Sequence, residues 1–294
     1  VELTFEGVAH DAVVYVNGTE VKAHHCGYTA FFVEIAKYLK YGEDNVLAVR
    51  VDSRENLNIP PFGYAIDYMT FGGMYREVYV QVRNKTHLAD VFIKPQIHPL
   101  QVTTEITVQN ISDGITLQQE IRKKGEGAYS PLGQKPVKQT NVQTVFPVQE
   151  ICLWEPENPH LYEIRTSLWK NGEMIDARVD ITGFREAGFR KDGFYLNGKK
   201  LRLRGLNRHQ SYPYVGYAAP ASMQIFDADI LKKELGVNAV RTSHYPQSQD
   251  FIRRCDEIGL LVFTEFPGWQ HIGDEEWKRQ AVQNLKEMIV QYRN

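Results

Sequence analysis

The chain has 294 residues, 43% of them hydrophobic and 24% charged, which suits two or three soluble domains with real cores. Lys and Arg number 34 against 36 Asp and Glu, a formal net charge of −2, so no global basic field for nucleic acid and no strongly anionic tail is present. The longest apolar runs, such as Gly259-Leu-Leu-Val-Phe263, fall far short of the ~20 residues that cross a membrane as a helix. Three scattered cysteines, Cys26, Cys152 and Cys255, suit a reducing compartment and hence a cytoplasmic protein, with Cys255 a small buried hydrophobe. Val1 opens straight into a strand-like run and Asn294 closes directly on a helical pattern, so an internal piece of a longer protein is expected.

Residues 1–84 read as short strands. Ala12-Val-Val-Tyr-Val16 and Glu20-Val-Lys-Ala-His24 flank Asn17-Gly18, a hairpin turn whose residues tolerate positive φ. Asn45-Val-Leu-Ala-Val-Arg-Val51 and Arg76-Glu-Val-Tyr-Val-Gln-Val82 alternate as half-buried strands do. Between them, Leu57 to Tyr75 carries Pro60-Pro61, Gly72-Gly73 and several aromatics, the composition of a long ordered loop with a function. His24-His25-Cys26 is read as a solvated loop, because neighbours on a strand or turn point apart and cannot share a metal.

Residues 85–183 supply further strands, at 103–109, 116–121 and 140–146, and a hairpin of 164–169 with 174–179 turning at Asn171-Gly172. This segment reads as an immunoglobulin-like sandwich, with Lys123 to Pro136 an exposed loop.

From 184 to 294 the period changes. Leu201-Arg-Leu-Arg-Gly205, Val237-Asn-Ala-Val-Arg241 and Leu260-Leu-Val-Phe-Thr264 read as strands. Helices follow each: one with Met223, Phe226, Ile230 and Leu231 on a face, capped by Ser222 and ended by Gly236; one with Phe251, Ile252, Cys255 and Ile258; one with Trp277, Ala281, Leu285 and Met288. Three alternations of strand and helix imply a parallel sheet with helical crossovers. A nucleotide-binding doubly wound fold is excluded, because Gly205-Leu-Asn-Arg-His-Gln-Ser211 follows the first strand where a Gly-rich turn onto a helix is required. A closed (β/α)₈ barrel needs ~250 residues and about 110 are present, so three units cannot close one within this segment.

Polar groups gather just past each strand: Asn207, Arg208 and His209; Arg241 and Ser243-His244-Tyr245; Glu265 and Trp269. In a parallel βα barrel these positions share the rim on which active sites are built. Polar residues also belong at strand ends for solvation alone, and any one of them is explained that way. Three consecutive units doing so, two with a histidine, point to a binding pocket. An open sheet of this kind also leaves apolar faces uncovered, so exposure near Leu260 to Phe263 and self-association are expected.

Asn238-Ala-Val-Arg-Thr-Ser-His-Tyr-Pro246, continuing through Phe251, Asp256 and Gly259-Leu-Leu-Val-Phe263, resembles the first signature of glycoside hydrolase family 2, the β-galactosidases and β-glucuronidases. Asp192-Gly-Phe-Tyr-Leu-Asn-Gly-Lys199 and Arg204-Gly-Leu-Asn-Arg-His209 are similar to that family's entry into its barrel. Val14-Tyr-Val-Asn-Gly18 and Gly72-Gly-Met-Tyr-Arg-Glu77 look like its sugar-binding jelly-roll domain. The resemblance implies a jelly-roll portion, an immunoglobulin-like sandwich and the start of a TIM barrel, and a retaining exo-glycosidase for terminal β-galactosides. Such chemistry uses two carboxyl groups ~5–5.5 Å apart. In the family the acid/base Glu follows an Asn after the fourth barrel strand and the nucleophile follows the seventh. No Asn-Glu pair occurs in this sequence, so both catalytic carboxylates are expected beyond Asn294.

By the same resemblance His209 and His244 bond sugar hydroxyls, and Arg241 holds the nucleophile carboxylate ionised. Asp67 either reaches from the jelly-roll loop to a substrate hydroxyl or is a solvated loop residue, and Glu265 stands behind the pocket as an acceptor. Some β-galactosidases bind Mg²⁺ through a Glu and a His after the third strand. Here Trp269 and His271 stand at those places, and one ligand of two is a poor octahedral site, so no cofactor is expected. A β-glucuronidase, a non-catalytic carbohydrate-binding module and a structural interaction protein are the alternatives.

Overall fold

The computed structural model describes residues 1–294 as β and α/β layers in three successive regions. The first region holds β1 (Glu2–Phe5), β2 (Val8–Ala9), β3 (Asp11–Val16), β4 (Thr19–His24), β5 (Phe31–Glu34), β6 (Leu47–Asp52), β7 (Gly73–Met74) and β8 (Val78–Gln81). Two three-stranded antiparallel sheets form, β5-β1-β8 and β4-β3-β6, with the short pair β2-β7 beside them. The alternation of β1 and β3 sends Leu3 and Phe5 of one sheet and Ala12, Val14 and Val16 of the other into a shared core. Asn17 takes φ 50° and Gly18 φ 82°, the turn required by the β3–β4 hairpin.

The second region is a sandwich of β9 (His87–Ile97), β10 (Leu100–Gln109), β11 (Ile115–Lys123), β12 (Ser130–Pro136), β13 (Asn141–Pro147), β14 (Tyr162–Lys170) and β15 (Glu173–Thr182). Its sheets run β13-β10-β9 and β12-β11-β14-β15 around fifteen buried apolar residues, including Val91, Val102, Leu117 and Ile164. Gln119 is buried among them with its amide satisfied by the hydroxyls of Thr104, Thr144 and Thr166 at 2.6–3.1 Å. Residues 130–136, expected as loop, form an edge strand on β11. Their polar composition and two prolines are what an unprotected sheet edge tolerates, so no apolar alternation betrays them.

The third region opens with a small antiparallel sheet, β16 (Ala187–Arg190), β17 (Gly193–Leu196) and β18 (Lys199–Leu201). The parallel ladder follows: β19 (Gly205–Arg208), β20 (Ala239–Thr242) and β21 (Leu261–Phe263), with α1 (Ala221–Asp229), α2 (Gln249–Ile258) and α3 (Glu275–Tyr292). The first barrel strand thus begins at Gly205, not Leu201. Leu201 belongs to the preceding hairpin, and the register is set by pairing of Gly205 with Ala239 and of Ala239 with Leu261. Ser222 is not the cap of α1, because the chain enters at Pro220 and no side chain caps the helix. Phe226 lies 61% exposed, and a π-helical turn at Ile230–Glu234 rotates Leu231 into the core instead. In α2, Ser248 caps the start and Gly259 ends the helix at φ 75°, where a Cβ would strike the Pro156 carbonyl. Leu260, expected to be exposed, is buried under α2; the uncovered apolar residues are Leu206 and Phe263.

α3 leaves the barrel units and packs on the first region. Its Glu287 accepts from Thr29 at 2.7 Å and pairs with His24 at 3.2 Å, Gln291 accepts from the Ala30 amide, and Trp277 donates to the Phe62 carbonyl. His24 is therefore buried at a domain junction, not solvated, while His25 bonds Asp11 at 2.9 Å and Cys26 is buried. No helix is long and apolar enough to cross a membrane.

Arg208 is 6% exposed and fully engaged: Nε on Asp227 at 2.8 Å, Nη1 on Gln247 at 2.5 Å, Nη2 on Gln224 at 2.7 Å, and its plane 4.0 Å from the Phe251 ring centroid. It ties β19 to α1 and α2 and does not face the rim. Arg208→Met strands Asp227 and two buried amides, and is expected to cost about 3–5 kcal/mol in urea unfolding. The exposed Arg54→Met, which breaks only a surface pair with Asp52, leaves the midpoint unchanged.

His10 is buried with neither ring nitrogen bonded, edge-on to Phe62, and burial holds its pKa down at about 4. Below the ordinary value near 6.5 the unfolded chain takes up a proton that the folded chain refuses. Stability is thus complete above pH 6.5 and falls by roughly 3 kcal/mol as pH drops to about 4, and His10→Leu should flatten that slope in pH-dependent denaturation.

Candidate active-site rim

The parallel register sets the rim. Asn207, Arg241 and Phe263 stand in one row across β19, β20 and β21, and the next residues of the chain rise past the strand ends. They flank an open hollow of about 390 Å³ with Leu203, Leu206 and Val240 also in its wall.

Above the row, Glu265 is the organising group. Its Oε1 accepts from Arg241 Nη2 at 2.9 Å and lies 3.1 Å from His244 Nδ1, while its Oε2 sits 2.8 Å from Arg241 Nε. The Glu265 backbone N–H donates to Thr242 Oγ1 at 3.0 Å, which fixes the start of the loop after β21 on the end of β20. The expectation that Arg241 is free to hold another carboxylate therefore meets a neighbour already doing so: Arg241 is charge-paired within this chain. His244 is 9% exposed, and its ring stacks on Trp269 with centroids 4.9 Å apart. The Ser243–His244 peptide is cis.

His209 follows β19 and lies beside His244, ring centroids 5.4 Å apart and nearly perpendicular. Its Nδ1 is 3.4 Å from the Tyr245 hydroxyl. Partial burial and then the adjacent His244 hold its pKa below the usual histidine value, against the weaker pull of Asp67 and Glu265. Asp67 is exposed, makes no hydrogen bond, and acts on the rim through its charge on His209 and Tyr68.

The aromatic beside it is the residue the sequence reading missed. Tyr68 lies with ring centroids 5.4 Å from His209, 5.7 Å from His244, 5.4 Å from Tyr245 and 6.2 Å from Trp269, so one ring from the first region lies against four rings of the rim. Its hydroxyl is buried and unbonded, and burial first, then Tyr245, Glu265 and Asp67, push its pKa upward. The usable signal was the crowd of aromatics in the 57–75 loop. Beneath it, Tyr28 stacks on Tyr245 at 4.5 Å, and Tyr217 donates to the Met69 carbonyl at 2.7 Å. Arg76 bridges the two regions, donating to the carbonyls of Tyr28 and Pro246 and to Gln210 at 2.9–3.1 Å.

Trp269 and His271 do not fit the donor set of Mg²⁺, which takes oxygen ligands. The indole is committed to a stack, and the His271 ring lies edge-on to Trp277 against Gly63.

Comparison with known proteins agrees along the chain. Residues 188–294 match the TIM barrel domain of the glycosyl hydrolases family 2, residues 86–185 match the family 2 domain between, and residues 1–83 match its sugar binding domain. The chain belongs to glycosyl hydrolase family 2. A beta-galactosidase of Thermoanaerobacter pseudethanolicus is 48% identical over 301 residues, covering all of this chain and 40% of that protein. A beta-galactosidase of Thermoanaerobacterium thermosulfurigenes is 45% identical, covering 97% and 41%, and a putative beta-glucuronidase of Formosa agariphila 32%, covering 100% and 36%. A crystal structure of Bacteroides uniformis beta-glucuronidase superposes with a TM-score of 0.88 at 30% identity, over all of this chain and 37% of that one. The chain thus spans about 40% of the length of the family 2 relatives it matches.

The rim of this family 2 chain depends on the first region staying docked. Arg76→Met removes the charged donor from three acceptors and is expected to cost about 2–4 kcal/mol. The expected readout is faster proteolytic cleavage within residues 57–75, with the sandwich 86–185 no more sensitive than before.

Proposed function

We propose that this chain is the sugar-gripping part of a retaining exo-glycosidase that acts on terminal β-D-galactosides in carbohydrate metabolism. The observation that carries the reading is the convergence of His209, His244, Trp269, Tyr68 and Asp67 on one rim, with Arg241 below them. Imidazoles and a carboxylate supply directional hydrogen bonds for hydroxyls, and an aromatic face suits the C–H side of a pyranose. The general acid and the nucleophile are assigned to residues outside 1–294, in keeping with the absence of an Asn-Glu pair. Arg241 would then be shared between Glu265 and the nucleophile, lowering the pKa of the latter by its charge.

The galactoside preference is supported by the relatives at 48% and 45% identity, which carry the name beta-galactosidase. No metal is needed in this reading. A cytoplasmic location is proposed on the three free cysteines, two of them buried, and self-association on the uncovered Leu206 and Phe263.

The test is a panel of aryl β-galactosides and β-glucuronides, together with titration calorimetry. The 294-residue chain is expected to cleave neither substrate and to bind methyl β-galactoside weakly and saturably, in the millimolar range. Cleavage would overturn the assignment of both carboxylates elsewhere. Binding of a glucuronide in preference to the galactoside would overturn the substrate.

A further inference from the structure

The two rim histidines meet, at their Nδ1 atoms, groups of different hydrogen-bonding capacity: one that only accepts and one that carries a proton to donate. Against His244 Nδ1 stands a carboxylate oxygen, Glu265 Oε1 at 3.1 Å, which only accepts. Against His209 Nδ1 stands the Tyr245 hydroxyl at 3.4 Å, which is able to donate. Nε2 of neither ring bonds to the protein.

Arg241 Nη2 also lies 3.1 Å from His244 Nδ1, so two arrangements compete there. In one, Nδ1 carries hydrogen and donates to Glu265. In the other, Nδ1 is bare and accepts from Arg241. The second sets a nitrogen lone pair against a carboxylate oxygen at 3.1 Å, an unfavourable contact. The first gains a charge-assisted bond, and Arg241 keeps its hydrogen bond to Glu265 Oε1 at 2.9 Å and its ion pair with Oε2 at 2.8 Å in either case. The protonated-Nδ1 form wins for His244. For His209 the order is reversed: Tyr245, buried among tyrosines and held in its neutral form by burial, donates, and Nδ1 accepts.

We propose that Glu265 and Tyr245 fix His244 and His209 in opposite ring tautomers, so that the rim offers one bare Nε2 and one Nε2–H side by side. The bare Nε2 of His244 accepts from a hydroxyl; the Nε2–H of His209 donates to one. Two neighbouring hydroxyls of a neutral sugar satisfy both at once, because each hydroxyl is donor and acceptor. A carboxylate satisfies only His209 and faces the lone pair of His244. This rests on the sugar-binding reading above and deepens it: the pair selects a diol over an acid, and Glu265 and Tyr245 are positioning residues that never touch the ligand.

The test separates the two layers. Long-range ¹H–¹⁵N correlation spectra of the 294-residue chain labelled in histidine, at pH 7.5 without sugar, report which nitrogen of each ring carries hydrogen. Pyrrole-like Nδ1 for His244 and pyrrole-like Nε2 for His209 are expected, and the same tautomer in both rings overturns the inference whatever the chain binds. Glu265→Gln exchanges an acceptor for an amide able to donate and should convert His244 to the Nε2–H form, with Tyr245→Phe releasing His209 to a mixture; unchanged spectra in folded variants overturn the assigned roles. Methyl β-galactoside should then shift both Nε2 signals, and an analogue lacking one ring hydroxyl only one. Opposite tautomers with no shift from any glycoside would overturn the sugar reading and, with it, the diol selection.

Discussion

A face-to-face contact between two tyrosines from different regions holds this molecule's site together. Tyr28, from the loop before β5, stacks on Tyr245, from the loop after β20, with both side chains fully buried. Such a stack is worth about 0.5–1.5 kcal/mol beyond its buried area. Arg76 locks the same seam by donating to carbonyls on both sides. On the closed seam, the 57–75 loop sets Tyr68 against the two histidines.

The rim itself is an electrostatic arrangement before it is a binding surface. A half-buried carboxylate is costly unless paired, and Glu265 is paired through Oε1 with Arg241 and His244 together. The consequence is rigidity. Arg241 cannot swing freely, His244 cannot turn on its axis, and Trp269 caps the remaining face of the imidazole. Preorganisation of this sort lowers the ordering cost of binding a small, flexible polyol.

α3 shows a different economy. Trp277, Gln280, Ala281, Asn284 and Met288 are its buried residues, and two of these are amides. A helix covering a barrel sheet would bury an apolar stripe; this one lies partly on the first region, where His24, Thr29 and the Ala30 amide require polar partners. The side chains of α3 are thus chosen for a junction between regions, which accounts for Glu287 and Gln291 on the inner face.

What the sequence determined by itself was whatever depends on neighbours in the chain. The Asn17-Gly18 hairpin, the strand alternation of β3 and β14, the apolar face of α2 and the strand–helix succession from 205 onward are local agreements of propensity and period. So is the placing of His209, His244 and Glu265 just past strand ends, with Arg241 on the last residues of β20. The edge strand at 130–136, the start of β19 and the π turn after α1 were decided by pairing and packing with distant residues, which leave no periodic trace. The same holds for Tyr68, for the burial of His24, and for the partner of Arg241. The last three depend on segments 24 to 263 residues apart meeting in space, and a hydrogen bond or stack across such a distance is specified by the closed fold rather than by any stretch of chain that contributes to it.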